Sequence, residues 1–328
     1  MLYNKTSMVK IVIGENEAGQ RVDRFLRKYL GSAPLSAIYR IIRKDLKVNG
    51  RRVREDAQLQ TGDELTLYMT EEQLGTFRKP ARRKAAPRRQ FQVIYEDDQV
   101  LIVSKPKGLL VHGDAREKSN TLANQVCGYL QERGEYDPSA EKTFTPAPAN
   151  RIDRNTSGLV MFGKTAPALR ELTKQIRERD RIRKFYLAVV CGEVSEEMVL
   201  TDRLQKDSQN NRVTAVSGEE GMASETRIRP VKTGRRFSLV EAELITGRTH
   251  QIRVHLAKAG HPLLGDPKYG DPAANETGRK HQVTSQLLHA WRLQFEELDQ
   301  PLQKLSGRTV EAPLPRQFEM AEREWFNG

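Results

Sequence analysis

The chain has only two cysteines, Cys127 and Cys191, and they lie too far apart to form a redox or metal-binding motif. So few cysteines are typical of a protein in a reducing cytoplasm. No apolar run approaches the length of a transmembrane helix, and the N-terminus lacks the apolar core of a signal peptide. We therefore expect a soluble, cytoplasmic protein that does not act at a membrane.

Motifs for nucleotide cofactors, metals and a serine nucleophile are also missing. There is no Walker loop, no G-x-G-x-x-G turn ahead of a helix and no G-x-S-x-G elbow. Two of the six histidines, His250 and His255, are five positions apart. This spacing points them in different directions on a helix and to opposite faces of a strand. We expect no metal site and no cofactor.

Positive charge is present in excess, and it is concentrated near the N-terminus. The 328 residues have a formal net charge of +12, of which residues 21–54 supply +9 and residues 76–90 supply +7, so that the rest of the chain is at −4. This asymmetry predicts a docking module for a polyanion joined to a body with another task. Nucleic acid is favoured over a membrane surface because the basic stretch contains only Phe77 as an apolar anchor.

Composition and periodicity divide the chain into three segments. Residues 1–70 contain a short N-terminal strand and a compact basic unit. Residues 71–90 are rich in Pro, Arg and Lys and predict an extended basic linker. Residues 91–328 intersperse strand and helix patterns without strict alternation. This last pattern predicts an α+β domain with a mixed, mainly antiparallel sheet and flanking helices.

The compact basic unit begins with two helical patterns, the second of which follows Pro34. After them, K-V-N-G-R-R-V predicts a hairpin with Asn49-Gly50 in a type I′ turn, and G-D-E-L begins another strand. Two helices, a basic hairpin and such a strand, within residues 20–69, resemble the S4 RNA-binding domain. The resemblance implies that the second helix and the hairpin bind structured RNA through Arg40, Arg43, Lys44, Arg51 and Arg52.

The segment N-R-I-D-R-N-T-S-G, residues 150–158, places Asp153 between Arg151 and Arg154. Nearby positive charge favours the anionic form of a carboxyl group, and one aimed aspartate is enough for covalent catalysis. Taken by itself, however, the segment is explained better by an aspartate that caps a turn and pairs with its neighbouring arginines. The rest of the chain must decide between the two.

A second dense segment is T-G-R-T-H-Q-I-R-V-H-L, residues 246–256. It follows an alternating strand pattern, and Thr249 is the predicted N-cap of a helix that ends at Gly260. Ile252 and Leu256 would face the core, which leaves Arg253 next to a buried stripe. A buried unpaired charge is costly, so Arg253 needs a carboxylate partner. A purely structural ion pair would also meet this need.

Together these segments resemble the RluA family of pseudouridine synthases. The resemblance is carried by R-I-D-R-N-T-S-G and G-R-T-H-Q-I-R-V-H, with K-P-K-G-L-L-V-H at 105–112 and K-F-Y-L-A-V-V at 184–190, and it extends through residues 91–318. An S4 module ahead of such a domain matches the branch that modifies large-subunit (23S) ribosomal RNA. The chain departs from the family at Asn150, where a His is usual, and at Ile152, where a Leu is usual.

The resemblance implies an enzyme that isomerises uridine to pseudouridine without a metal or cofactor. Asp153 would be the catalytic carboxylate, Arg253 its charge partner and Tyr186 the aromatic residue that packs under the target base. Three routes stay open for Asp153: attack on the sugar C1′, attack on uracil C6, or removal of the 2′ proton. Arg151 would stabilise RNA from which the base has been extruded, and Arg248 would contact a phosphate.

Other interpretations remain open from the sequence. Lys105 and His112 either line the cleft or serve in turn formation and packing. The protein could be a non-catalytic RNA-binding or ribosome-assembly factor on the same scaffold, or an enzyme of the same chemistry that acts on transfer RNA. We expect a monomer, and RNA is the expected partner in each case.

Overall fold

The computed structural model describes residues 8–78, 86–207, 210 and 212–326. The chain forms two compact units, which we describe separately. The first takes in the described residues up to Ala86 together with Val126–Ala147 and Lys164–Leu169. The second takes in Pro87–Gln125, Pro148–Gly163 and the described residues from Arg170 onward.

The regular elements are numbered in chain order. The strands are β1 Val9–Val12, β2 Leu46–Val48, β3 Glu64–Leu67, β4 Gln92–Glu96, β5 Val100–Lys105, β6 Ala147–Pro148, β7 Ser157–Gly163, β8 Ile182–Cys191, β9 Met198–Asp207, β10 Arg212–Val216, β11 Met222–Lys232, β12 Phe237–Leu244, β13 Leu288–Phe295 and β14 Thr309–Glu311. The helices are α1 Val22–Tyr29, α2 Leu35–Lys44, α3 Glu71–Phe77, α4 Leu122–Glu132, α5 Ala166–Glu178, α6 Gln251–Lys258, α7 Pro272–Lys280 and α8 Arg316–Ala321. None of these described helices is long and apolar enough to cross a membrane.

In the first unit, α1 and α2 pack on a three-stranded antiparallel sheet with the order β1-β3-β2. The two predicted helices are confirmed, because their apolar stripes form the core, with Phe25 and Leu26 of α1 against Ile38 and Ile41 of α2. Full burial of each such side chain contributes about 1.5–3 kcal/mol. The basic positions of α2 consequently face outward.

The predicted type I′ turn is confirmed, since Asn49 and Gly50 have φ values of 49° and 76°. The hairpin itself is shorter than predicted. After the turn only Arg51 pairs with Val48, and β2 forms its ladder with β3 instead. The apolar residues of β2 gain more burial there, because β3 is the central strand of this sheet.

The prediction of an extended linker at residues 71–90 is wrong for its beginning, where α3 forms. Thr70 and Gln73 make a capping box, in which each side chain accepts a hydrogen bond from the backbone N–H of the other residue. Leu74 is buried in the core of the first unit. The capping box and the burial of Leu74 therefore stabilise a helix in a segment whose polar composition predicted an extended chain. Residues 79–85 of the predicted linker lie outside the described residues.

The second unit contains the large sheet, whose main path is β10-β9-β11-β12-β8-β13-β7-β5-β4. Every pair along this path is antiparallel except β7 with β13, which is parallel. The predicted α+β fold with a mixed, mainly antiparallel sheet is therefore confirmed.

The core of the second unit brings the two dense sequence segments together. Ile252 and Leu256 of α6 pack in the same apolar cluster as Tyr186 of β8, and Ile152 packs against its edge. Gly158 follows in β7 with a φ of 110°, where a Cβ atom would collide with the backbone carbonyl of Ala290 in β13. The glycine of T-S-G thus permits the close approach of β7 and β13 that positions the loop before it.

Candidate active site

The centre of the site is an ion pair between residues 100 positions apart. Nη1 of Arg253 donates to Oδ2 of Asp153 at 2.8 Å. The side chain of Arg253 is 5% exposed and that of Asp153 is 26% exposed, so the pair is buried on one side and open on the other. No described residue donates a hydrogen bond to Oδ1 of Asp153. The predicted pair is confirmed, and one carboxylate oxygen keeps its lone pairs available.

The neighbouring arginines do not take part in this pair. Within the described residues neither Arg151 nor Arg154 forms an ion pair with Asp153. Nε of Arg154 instead donates to the carbonyl oxygen of Gly108 at 3.0 Å, and the N–H of Gly108 donates back to the carbonyl oxygen of Arg154 at 2.8 Å. The simpler interpretation, an aspartate paired with its sequence neighbours, is therefore wrong.

Arg253 has a second carboxylate partner that the sequence analysis did not predict. Its Nε and Nη2 donate to Oδ2 and Oδ1 of Asp266 at 2.7 and 2.8 Å. Asp266 is fully buried, and its Oδ1 also accepts the N–H groups of Lys268 and Tyr269. Such a two-pronged pair fixes the plane of the guanidinium group. Asp266 therefore aims the remaining nitrogen, Nη1, at Asp153.

The charges in this cluster are mutually stabilised. Burial on its own would lower the pKa of Arg253, but hydrogen bonds and charge from Asp266, with those of Asp153, outweigh it and raise that pKa. Burial would likewise raise the pKa of Asp266, but Arg253 outweighs it and lowers that pKa. Arg253 stays cationic and Asp266 anionic throughout the neutral range.

Tyr186 lies on β8, close to this cluster. It is only 6% exposed, and its cross-strand neighbours are the small residues Ala242 on β12 and Ala290 on β13. Burial first, and the charge of Asp153 second, raise the pKa of Tyr186 well above its ordinary value. The phenol is therefore protonated at neutral pH.

The start of α6 differs from the prediction. The N-cap is His250, with a left-handed φ of 53°, whereas Thr249 lies outside the helix and is exposed. Oε1 of Gln251 accepts hydrogen bonds from the Thr246 hydroxyl at 2.7 Å and from the N–H of Arg248 at 3.0 Å. Gln251 thus organises the turn that a threonine cap was predicted to form, and the helix ends at Lys258 rather than at Gly260.

Comparison with known proteins identifies the family of the chain. The model of the RNA pseudouridylate synthase family matches residues 99–258. The chain is 34% identical over 320 residues to ribosomal large subunit pseudouridine synthase C of Vibrio vulnificus, a match that covers 96% of each chain. It is 37% identical over 277 residues to the Escherichia coli protein of the same name, a match that covers 82% of each.

The chain belongs to the RluA family of pseudouridine synthases. Its fold agrees with that of a solved structure, human RNA pseudouridylate synthase domain containing 4, with a TM-score of 0.55 at 20% identity over 70% of this chain and 91% of that one.

Lys105 of this pseudouridine synthase is structural. It is fully buried, and its Nζ donates to the carbonyl oxygens of Pro106, Leu109 and Arg154 at 2.8–3.0 Å. Burial lowers the pKa of Lys105 to about 7, against the opposing charge of Asp153. These bonds give Lys105 the turn and packing role, and it also lines a cavity together with Ser157 and His289. The side chain joins the 105–109 turn to the loop that carries Asp153.

Asn150 and Ile152, the two departures from the family pattern, both anchor the same loop. Oδ1 of Asn150 accepts the N–H of Met161 at 2.8 Å, and its Nδ2 donates to the carbonyl of Leu159 at 3.4 Å. Ile152 packs at the edge of the apolar cluster that contains Tyr186. The loop is therefore tied to β7 on one side of Asp153 and to the core beside it, and neither departure disturbs the carboxylate.

The predicted RNA contacts of the second unit lie at or near the surface. Arg151 is exposed. His112, for which the sequence left a cleft role and a turn role open, is exposed as well, and partial burial and then the charge of Arg151 lower its pKa. Arg248 is half-buried, donates from Nε to the carbonyl of Ala223 at 3.2 Å and lines a groove of about 330 Å³ with Lys206. Arg151 and Arg248 are therefore available to a polyanion.

The predicted RNA-binding cations of the first unit are all exposed: Arg40, Arg43, Lys44, Arg51 and Arg52. Nη1 of Arg52 donates to the carbonyl oxygen of Arg43, which brings the end of α2 and the turn after β2 together. Tyr39, next to Arg40, is 37% exposed. These exposed cations of α2 and of the turn after β2 form the basic surface of the first unit.

Sequence reasoning missed Asp266 and Tyr269 and considered His250 only as a metal ligand. A signal for Asp266 was present, since an acid in L-L-G-D-P-K-Y-G directly follows an apolar pair and could have been matched to the unpaired charge of Arg253. Tyr269 carried no comparable signal. Its contacts with His250 and with the N–H of Val213 join three separate parts of the chain.

Proposed function

We propose that this pseudouridine synthase isomerises uridine in large-subunit ribosomal RNA, with Asp153 as the catalytic carboxylate. The observation that carries the proposal is the Arg253–Asp153 pair, which holds one carboxylate oxygen and leaves the other free at the open side of a buried site. The names of the Vibrio and E. coli relatives support the choice of RNA, since both are ribosomal large subunit pseudouridine synthases.

The reaction needs no oxidant, reductant or co-substrate. The N1–C1′ bond breaks, a C5–C1′ bond forms, and the base exchanges the proton at C5 for one at N1. Oδ1 of Asp153 has the free lone pair that this chemistry needs, either to attack carbon or to remove a proton. Arg253 supports the carboxylate through Oδ2 without blocking Oδ1, because Asp266 fixes the guanidinium plane.

Tyr186 completes the proposed reaction site. A base extruded from RNA needs an apolar or aromatic surface to replace the stacking that it loses. Tyr186 supplies an aromatic ring that packs in the apolar cluster with α6 and is close enough to Asp153 for its charge to act on the phenol. Because its hydroxyl is protonated at neutral pH, we assign it packing beneath the base.

We assign recognition of the RNA backbone to two sets of cations. Arg151 and Arg248 lie on the unit that contains Asp153 and would contact RNA close to the target. Arg40, Arg43, Lys44, Arg51 and Arg52 form the basic surface of the first unit, whose two helices and three-stranded sheet support an S4-like assignment. Contacts of this kind supply affinity and register rather than base readout.

The direct test is to map pseudouridine in ribosomal and transfer RNA from a strain that lacks this protein and from its parent. We expect one or more large-subunit positions to change from pseudouridine to uridine in the deletion strain and to return on complementation with the full chain. An unchanged large-subunit map would refute the proposal. Loss of pseudouridine from transfer RNA alone would assign the other substrate class.

Binding through the basic surface predicts a specific salt dependence. Replacing Arg43 and Arg52 by Ala should weaken RNA binding and reduce the slope of log K against log salt concentration by about 2, or about 1 for each lost phosphate contact. The control is Arg170→Ala with Arg177→Ala, two exposed arginines of α5, which changes the net charge equally. Equal slopes for the two double variants in a filter-binding titration would contradict the assignment.

A further inference from the structure

We propose that His250 is a positioning residue for Asp153: a neutral imidazole that Tyr269 holds in the Nε2–H tautomer and that presents this N–H to carboxylate oxygen Oδ2. The inference rests on the proposed function, since it concerns the same carboxylate. The sequence analysis considered His250 only in excluding a metal site. Its surroundings in the structure indicate a role in orienting Asp153.

The imidazole lies beside the carboxylate that is held by Arg253. Nε2 of His250 is 3.9 Å from Oδ2 of Asp153, the oxygen that accepts the bond from Arg253, and the imidazole side chain is 9% exposed. This separation exceeds a hydrogen bond by about 1 Å. Catalytic hydrogen bonds are commonly long without substrate and shorten in the complex. A small movement of the carboxylate therefore brings Oδ2 within reach of both donors.

The contacts of Tyr269 favour one tautomer of His250. Its hydroxyl oxygen accepts the N–H of Val213 at 2.8 Å and lies 2.9 Å from Nδ1 of His250. A phenol has one hydrogen to donate. Since the backbone N–H of Val213 can only donate, it leaves the hydroxyl hydrogen available to Nδ1, and we assign Nδ1 as the acceptor of that hydrogen. In a neutral imidazole this arrangement puts the ring hydrogen on Nε2, the nitrogen that faces Asp153.

The surroundings of His250 keep it uncharged. Burial, the largest cause, lowers its pKa to about 4, and Asp153 opposes this shift. That value already includes the charges of Arg253 and Lys268, which lower the pKa, and that of Asp266, which raises it. A neutral N–H donor can orient Oδ2 of Asp153. Because it carries no charge, it does not withdraw electron density from the carboxylate as a second cation beside Arg253 would. Oδ1 consequently keeps the electron density that attack or proton removal requires.

The backbone and Tyr269 together place the ring. His250 has a left-handed φ of 53° and makes no side-chain cap for α6, so its conformation serves the side chain rather than the helix. Non-glycine residues in this region are strained, and such strain is concentrated at functional sites. The ring packs edge-on against Tyr269, with centroids 5.7 Å apart, and the guanidinium of Arg253 lies 5.1 Å from the centroid of Tyr269. Tyr269 thus positions both groups that surround Oδ2.

Two substitutions distinguish a role of His250 as hydrogen-bond donor from a role in stabilising the fold. His250→Asn suits the left-handed backbone and places an amide near the position of Nδ1, within reach of Tyr269, but it leaves nothing at the position of Nε2. His250→Gln extends an amide N–H to the position of Nε2. We expect the single-turnover rate of pseudouridine formation to fall about 10- to 100-fold in His250→Asn, the range for a hydrogen bond to a charged group. We expect His250→Gln to recover part of that rate.

The RNA dissociation constant and the melting temperature of both variants should stay close to those of the wild type, which a merely structural role would not allow. Nitrogen NMR of histidine-labelled full-length protein, with the His250 signals assigned by their loss in His250→Asn, should show a protonated Nε2 and an unprotonated Nδ1 at neutral pH. An Nδ1–H tautomer, an imidazolium, or a wild-type rate in His250→Asn would overturn the proposal. A wild-type protein inactive on ribosomal RNA would instead refute the proposed function, and the NMR result would still test the tautomer.

Discussion

Asp153→Asn should abolish pseudouridine formation while RNA binding is retained. The amide has the shape of the carboxylate, and its oxygen can still accept the hydrogen bond from Arg253. It has no negative charge and no nucleophilic oxygen comparable to Oδ1. Loss of a group that forms or breaks bonds in the reaction reduces the rate by about 10⁴-fold or more. Single-turnover assays on ribosomal RNA, with pseudouridine detected by mass spectrometry, measure this effect.

The control for this substitution is Asp180→Asn, which makes the same change of charge at a side chain that is 67% exposed. That variant should modify RNA at the wild-type rate. Binding titrations of Asp153→Asn should give a dissociation constant within a few-fold of the wild type, since Asp153 is one carboxylate in a surface dominated by cations. If Asp153→Asn still forms pseudouridine within tenfold of the wild-type rate, another group carries the reaction.

Arg253→Met should have the largest effect on stability, because it leaves Asp266 as a fully buried and unpaired carboxylate. Removing one partner of a buried ion pair costs about 3–5 kcal/mol of unfolding free energy. Asp153 would lose its partner in the same step, so activity should fall as well. Denaturant unfolding and single-turnover assays on the same preparation measure the two effects separately.

The double variant Arg253→Met with Asp266→Asn distinguishes the two tasks of the arginine. Replacing a buried ion pair by neutral groups is commonly neutral for stability. The amide introduced by Asp266→Asn also keeps an oxygen that can accept the N–H groups of Lys268 and Tyr269. We expect the double variant to regain most of the lost stability but none of the activity, because Asp153 stays unpaired. Recovery of activity along with stability would show that Arg253 supports only the fold.

Local patterns predicted the elements of this protein well. The apolar stripes of α1 and α2 and the positive-φ turn at Asn49-Gly50 depend on residues within a few positions of one another, and each is confirmed. The errors arose where other side chains, some of them distant in sequence, made the hydrogen bonds that a local pattern assigned to a neighbouring residue. Thr249 has the composition of an N-cap, but the side chain of Gln251 satisfies the turn and the contacts of His250 with Tyr269 set the start of α6.

The sequence by itself determined the secondary structure of most segments, the mixed α+β class and the motif that contains Asp153, because these depend on side-chain type and spacing. It also required a partner for Arg253, since a buried charge is costly wherever it lies. Only the tertiary structure decided which acids meet that charge, and it supplied two, Asp153 from 100 positions away and Asp266 from 13. Packing of α6 against β8 brings these groups together, and no local pattern encodes a contact whose partners converge only when the sheet has formed.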